Sequence, residues 1–153
     1  MDEAIEIVRG LTAGGYFGYQ GEIYQIDPIK LCPVPTQPLP ILLGGHSEPA
    51  LRRAVRLGDG WMHAGGDPQE LSRLLERIGA LRREHDRERD AFEIHVISLD
   101  AYTPDGIRRL EDLGITDVIV GFRDTYANAA DSQTLDQKVG ALRAYADNVI
   151  AKV

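Results

Sequence analysis

The sequence predicts an α/β fold with a parallel sheet, because short strand patterns alternate with amphipathic helix patterns along most of the chain. After each strand pattern, apolar residues recur at intervals of three and four, as they do on one face of a helix. Strands joined through helices in this way run parallel, with right-handed crossovers. The four predicted strands are Ile41–Leu43, Gly60–Ala64, Phe92–Ser98 and Asp117–Phe122.

The first forty residues precede these repeating units. Residues 1–18 are predicted to form a helix and a turn. Residues 19–40 contain five prolines, which keep the backbone extended and out of helices. This segment is therefore predicted to be an excursion from the sheet, with a short strand over Glu22–Ile26, while residues 41–153 carry the four βα units of a single domain.

The first βα unit has the layout of an anion site. Gly44 and Gly45 follow the strand directly, and without a Cβ they allow a tight turn and close approach of a ligand. Ser47 is a suitable helix cap, and Pro49 is tolerated in the first turn of a helix. A phosphate at this point would meet free amide N–H groups and the positive end of the helix dipole. The predicted inward-facing residues of this helix are Leu51, Ala54, Val55 and Leu57.

The other three units have their own start and stop signals. Asp67 caps the second helix and Pro68 opens it, and Thr103 caps the third, which Gly114 ends. The last helix closes the chain. The apolar residues that indicate this helix are Leu135, Val139, Leu142, Val149 and Ile150.

Composition excludes several classes of protein. With 43% hydrophobic and 27% charged residues, the chain has the composition of an ordinary globular domain. A net charge of −7 argues against general nucleic-acid binding, which depends on clustered Lys and Arg. No apolar run reaches the ~20 residues of a membrane span, and the acidic N-terminus is unlike a signal peptide, so the expected location is the cytoplasm. Phosphate-loop, dinucleotide-binding, nucleophile-elbow and zinc motifs do not occur.

The segment from Pro40 to Trp61, PILLGGHSEPALRRAVRLGDGW, resembles a block of the luciferase-like monooxygenase superfamily, the flavin- or deazaflavin F420-dependent oxidoreductases. That block reads P-I-x-x-G-G-x-S-x-x-A-L-R-R-A-A-x-x-G-D-G-W. The resemblance continues on both sides and covers nearly the whole chain, but it matches only one half of a family member. The flanking segments are Tyr16–Tyr24, Pro33–Pro38, Asp67–Leu71 and Leu110–Val120.

The resemblance implies a partial (β/α)8 TIM barrel whose four units correspond to strands five to eight. A complete barrel needs roughly 250 residues, and this chain has 153. A half-barrel leaves two bare sheet edges, which favour pairing with another chain. The expected partner is a second copy of the chain or a complementary N-terminal half, unless the chain is a truncated remnant.

The resemblance also implies a cofactor, F420 or FMN, whose phosphate is held at two turns. The implied binding residues are Gly44, Gly45, His46, His63, Ala64 and Gly65. No catalytic residue and no metal ligand is identified, because in this family the ring and the substrate lie against the first four strands. Hydride transfer or monooxygenation would need the missing half. The alternative is a non-catalytic assembly module with the same fold.

A few other residues have alternative interpretations. Glu93 and His95 are predicted to face the barrel lumen, with His95 as a satisfied core histidine. Trp61 is interpreted as a packing residue, and Asp59 as a capping or turn residue. Cys32, the only cysteine, is expected to be buried. Tyr24 and Gln37 could border the cofactor, although packing is the simpler interpretation.

Overall fold

The fold was analysed in a computed structural model, which describes residues 1–122 and 130–153. It is a mixed α/β fold. The helices are α1 (Asp2–Thr12), α2 (Glu48–Leu57), α3 (Pro68–Glu84), α4 (Pro104–Asp112) and α5 (Leu135–Asn148). The strands are β1 (Phe17–Gln20), β2 (Gln25–Ile29), β3 (Leu42–Gly44), β4 (Gly60–His63), β5 (Glu93–Val96) and β6 (Asp117–Val118). Short 3₁₀ turns occupy Leu99–Tyr102 and Ile150–Lys152.

The strands form two sheets. A two-stranded antiparallel sheet pairs β1 with β2. The other sheet has the order β3-β4-β5-β6, and β5 and β6 are parallel. His95 lies opposite Asp117 in this parallel pair, and Val96 lies opposite Val118. Strands in sequential order with a helix between each pair confirm the predicted alternation of strand and helix.

The predicted helix boundaries agree closely with the structure. Pro68 opens α3, and the Asp67 carboxylate accepts a hydrogen bond from the amide of Gln69 at 3.0 Å. Thr103 caps α4 by accepting from the amide of Gly106 at 3.1 Å. Short polar side chains at these positions satisfy amides that the helix itself cannot.

The fourth strand is much shorter than predicted. Instead of Asp117–Phe122, β6 contains only two residues, although the amide of Ile119 still donates to the carbonyl of Val96 at 2.8 Å. Beyond that point the Tyr102 hydroxyl donates to the carbonyl of Gly121 at 2.6 Å and accepts from its amide at 3.0 Å. A side chain therefore takes the backbone groups that a longer strand would have paired.

The N-terminal part also differs from the prediction. The residues predicted as a strand, Glu22–Ile26, include the turn of a β1–β2 hairpin. The Glu3 carboxylate of α1 accepts from the amides of Glu22 and Tyr24, each at 2.9 Å, and also from that of Ile23. These hydrogen bonds lower the pKa of the Glu3 carboxyl. A carboxylate distant in sequence thus fixes the turn, which local strand patterns do not reveal.

The chain divides into two compact units. The first comprises Met1–Trp61 and Arg77–Phe92. Its core is formed by side chains from α1, α2, β4 and α3: Ile5, Ile7, Leu51, Ala54, Val55, Trp61, Ile78 and Leu81. Three of the four residues predicted to face inward from α2 are fully buried, and Leu57 is half-buried.

The second unit comprises Met62–Glu76 and Glu93–Val153. Its buried apolar residues are Leu71, Val96, Ala101, Ile107, Leu110, Ile115 and Val149. Helix α5 forms where it was predicted, and a capping box between Thr134 and Gln137 starts it. However, it contains no buried residue, and Leu135 and Leu142 are exposed. None of the helices in the described ranges has the length and apolar character needed to cross a bilayer.

Candidate functional site

Residues 44–47, here called the glycine turn, connect β3 to α2 at the carboxyl end of the strand. Gly44 and Gly45 are both exposed, so no side chain covers the turn. Gly45 has a φ of +116°, a conformation that L side chains rarely adopt. A Cβ at this position would also lie only 2.7 Å from the Cβ of Ala50. The turn therefore requires glycine at position 45.

The glycine turn presents backbone donors to solvent. Ser47 is the N-cap of the ten-residue helix α2, but its side chain makes no capping hydrogen bond. The amides of Ala50 and Leu51 instead donate to the Ser47 carbonyl, at 2.9 and 3.0 Å, and Pro49 has no N–H. Among the residues that the structure describes, none accepts from the amide of Ser47 or Glu48. Two donors are thus available at the positive end of the α2 dipole.

Trp61 anchors the glycine turn to the buried core. Its side chain is 0% exposed, and its Nε1 donates to the carbonyl of Gly45 at 2.9 Å. The ring also lies beside that of His46, with the two centroids 6.2 Å apart. The burial of Trp61 confirms its interpretation as a packing residue. The sequence did not indicate its hydrogen bond to Gly45.

Asp59 secures the strand that leads into the glycine turn. Its carboxylate accepts from the amide of Ile41 and from the Arg9 guanidinium, both at 2.8 Å. The Asp59 amide donates in turn to the carbonyl of Ile41 at 2.9 Å. The prediction that Asp59 is a capping or turn residue is confirmed.

Glu48, the first residue of α2, carries a negative charge next to the glycine turn. Arg77 donates two hydrogen bonds to its carboxylate, at 2.6 and 2.9 Å, and Arg52 forms an ion pair with it at 2.7 Å. The hydrogen bonds from Arg77 are the main reason that the pKa of Glu48 falls to about 2. Two guanidinium groups therefore offset a charge that would otherwise repel an anion at this helix end.

A second turn, His63–Gly65, follows β4. The side chain of His63 is only 1% exposed, and its Nδ1 accepts from the amide of Gly65 at 3.2 Å. The His63 carbonyl accepts from the amide of Ile97 at 3.1 Å, which ties the end of β4 to the residue after β5. Ala64 is exposed, and Gly65 has a positive φ of +91°. The buried imidazole thus shapes this turn.

A cavity of about 320 Å³ opens beside the second turn, within the second unit. Its walls come from the segments that follow β4 and β5, and ligands of parallel α/β proteins bind at such carboxyl ends. The lining residues include Gly65, Gly66, Pro68, Ile97, Ser98 and Tyr102. The Tyr102 hydroxyl is hydrogen-bonded to the backbone of Gly121, so one wall of the cavity is joined to the segment after β6.

Comparison with known protein families shows where the chain belongs. The family model for luciferase-like monooxygenases matches residues 1–147. The chain belongs to this family. Its members include luciferase-like oxidoreductases and monooxygenases that use flavin or F420.

Three similar proteins illustrate the relationship. The luciferase-like chain is 58% identical to Rv0940c of Mycobacterium tuberculosis over all 153 residues, which is 52% of that protein. It is 36% identical to the 5,10-methylenetetrahydromethanopterin reductase of Archaeoglobus fulgidus over 93 residues, or 61% of this chain and 28% of the reductase. The fold matches the coenzyme F420-dependent tetrahydromethanopterin reductase of Methanopyrus kandleri with a TM-score of 0.70 at 13% identity, covering 97% of this chain and 61% of that one. The chain thus spans about half the length of the curated relatives that it matches in full.

The structure places the sequence-predicted residues of this luciferase-like chain in two turns. Gly44, Gly45 and His46 share the glycine turn, and His63, Ala64 and Gly65 form the second. Tyr24 and Gln37 are exposed, in the proline-rich segment.

The expectation for Cys32 was wrong. Cys32 is exposed, because the surrounding segment, residues 30–40, has almost no buried or half-buried side chains.

His95 is not a core histidine either. It is half-buried and contacts two carboxylates, those of Glu93 and Asp117. That contact depends on the pairing of β5 with β6, which the local sequence does not show.

Proposed function

We propose that this chain forms four βα units of a (β/α)8 barrel, equivalent to strands five to eight, and that it binds the phosphate of F420 or FMN in a luciferase-like oxidoreductase. The family membership supports the reaction class, which is hydride transfer or monooxygenation. The four strands in sequential order, and the coverage of about half of a relative, support the assignment to part of a barrel.

The observation that carries the proposal is the open glycine turn. The amides of Ser47 and Glu48 have no acceptor among the described residues, they lie at the start of a ten-residue helix, and the preceding Gly44 and Gly45 are exposed and uncharged. Backbone N–H groups at a helix N-terminus are the donor set that phosphate oxygens require. Gly44, Gly45 and His46 are proposed to contact the phosphate, since they border these donors.

The second turn is proposed to contribute separately to cofactor binding. The Nδ1 of His63 accepts from the amide of Gly65 and so orders this turn, beside which Ala64 is exposed. A flavin or deazaflavin bound by this family supplies the redox chemistry, and the protein binds and orients it. We propose that turnover also depends on groups from outside these four units.

Replacing Ser47 with proline tests the role of the amide directly. The φ of Ser47, −76°, lies within the range that a proline ring imposes, so the variant removes one N–H and keeps this angle. We expect the dissociation constant for F420 or FMN to rise about 10- to 100-fold, the effect of losing one hydrogen bond to a charged group. Quenching of cofactor fluorescence, measured with FMN and F420 in turn, provides the constant.

The matched control is Ser47→Ala, which retains the amide and removes a hydroxyl that makes no capping bond. It should bind within about threefold of the unmodified chain, because the proposed donor is still present. Helicity by far-ultraviolet circular dichroism checks that both variants fold. Equal binding by the proline variant would refute the role of the amide. Absence of binding by the unmodified chain would favour the alternative, a non-catalytic assembly module.

We also propose that the chain associates with a second copy or with a complementary N-terminal half. The exposed apolar side chains of Leu135, Leu142 and Ile150, on α5 and the turn after it, support this idea. Apolar side chains clustered on a surface commonly mark an interface. If the partner is a second copy, light scattering on the purified chain should give at least the mass of a dimer, and Leu142→Glu should reduce it. A monomer that unfolds cooperatively would argue against association.

A further inference from the structure

Three side chains of types that bind metal ions meet on the second unit, and none of them belongs to either turn. Glu93 and His95 are two residues apart on β5 and therefore point to the same face of the sheet. Asp117 of β6 lies directly opposite His95 in the parallel register. We call these residues the Glu93–His95–Asp117 cluster.

The atoms of this cluster converge at distances typical of a metal site. The Nε2 of His95 lies 2.9 Å from the Glu93 Oε2 and 3.1 Å from the Asp117 Oδ2, and one ligand atom from each residue lies within 4.8 Å of the others. In a tetrahedral zinc site with bonds of about 2.1 Å, ligand atoms are about 3.4 Å apart. The two distances from the His95 Nε2 therefore differ by about half an ångström or less from the spacing of a zinc site.

The charges of the cluster are also unbalanced. Two carboxylates face one imidazole, and no lysine or arginine of residues 1–122 and 130–153 forms an ion pair with either carboxylate. A dication would offset both negative charges and would replace the contact between an imidazole nitrogen and two acceptors. The side chains of Glu93, His95 and Asp117 are 43%, 22% and 54% exposed, so water can complete the coordination.

We propose that the Glu93–His95–Asp117 cluster binds a divalent transition-metal ion of the zinc class. One imidazole nitrogen and two carboxylate oxygens form a donor set that suits Zn²⁺ better than Mg²⁺ or Ca²⁺, which prefer oxygen alone. No local motif indicates this site, because its ligands come from two strands that only the sheet brings together. The ion would link β5 to the two-residue strand β6, and the site is independent of the proposed cofactor binding.

Titration of the metal-free chain with zinc sulfate tests the proposal. Isothermal titration calorimetry should show one Zn²⁺ per chain, and the melting temperature should rise as the site fills. His95→Ala should weaken the binding about a hundredfold or more, because loss of a partner that merely orients a ligand already costs 10- to 100-fold. Asp117→Asn preserves the shape of the side chain but removes its charge, and should weaken binding by at least about tenfold.

Controls assign the ion to this cluster. His85→Ala removes a histidine of the same chain outside the cluster and should leave the zinc affinity unchanged. Co²⁺ in place of Zn²⁺ should give visible absorption bands that His95→Ala abolishes and His85→Ala retains. Should the zinc affinity survive both His95→Ala and Asp117→Asn in folded protein, or depend instead on His46 or His63, the proposal is wrong. A chain that binds no Zn²⁺ would also overturn it.

Discussion

Replacing Trp61 with alanine is expected to lower the free energy of unfolding by about 3–5 kcal/mol, as removal of a large buried aromatic side chain usually does. The ring is completely buried in the first unit, so its loss leaves a cavity in the core. The variant also loses the hydrogen bond from Nε1 to the Gly45 carbonyl. Urea denaturation followed by circular dichroism measures the change.

A second substitution separates the core from the glycine turn. Trp61→Phe keeps an aromatic ring but has no N–H, so the peptide of Gly45 loses its anchor. We expect a smaller loss of stability, about 1–3 kcal/mol, together with weaker cofactor binding. Ile78→Ala is the matched control because it removes buried apolar volume from α3, an element that does not form the glycine turn. Equal cofactor affinity in Trp61→Phe and the unmodified chain would contradict the positioning role of the indole.

Gly45→Ala should be the most damaging single change in the glycine turn. A φ of +116° strains any L side chain, at a cost of about 1–3 kcal/mol. The added Cβ would also approach the Ala50 Cβ to 2.7 Å, which forces the turn or the first turn of α2 to move. We therefore expect a loss of more than about 2 kcal/mol of stability, and loss of measurable F420 or FMN binding. Thermal unfolding and cofactor fluorescence give the two values.

Two further variants divide this effect into its causes. Gly114→Ala, with a φ of +81° and open space around the added Cβ, measures the cost of a positive φ alone. In the double variant Gly45→Ala with Ala50→Gly, the steric conflict is removed while the φ strain remains. A double-mutant cycle should show a favourable coupling between positions 45 and 50. If Gly45→Ala is no worse than Gly114→Ala, the close approach to Ala50 has no energetic importance.

The sequence allowed prediction of those features that depend on residues close together along the chain. The start of α3 at Asp67 and of α4 at Thr103 could be predicted, because a cap and the amide that it satisfies are only two or three residues apart. Gly44 and Gly45 likewise marked a turn. Family resemblance added the reaction class, which no local pattern contains.

Features that depend on distant pairs could not be predicted in this way. Glu3 determines a hairpin turn some twenty residues later, and Tyr102 ends the pairing of β6 by holding Gly121. The same limit applies to the site, where the bond from Trp61 to Gly45 joins residues on different elements. Each of these depends on the packed structure, since the partner of a polar side chain is decided only when the sheet and helices are in place.

The bond from Trp61 to Gly45 has a further consequence for how an anion would be received. A loop that orders only on binding loses conformational entropy at that moment, and its affinity falls accordingly. Here the Trp61 indole immobilises the peptide group of Gly45 during folding, so an incoming phosphate would displace water from a turn that is already rigid. Association should then be fast and leave the backbone nearly unmoved, and the strength of anion recognition would rise and fall with the integrity of a hydrophobic core.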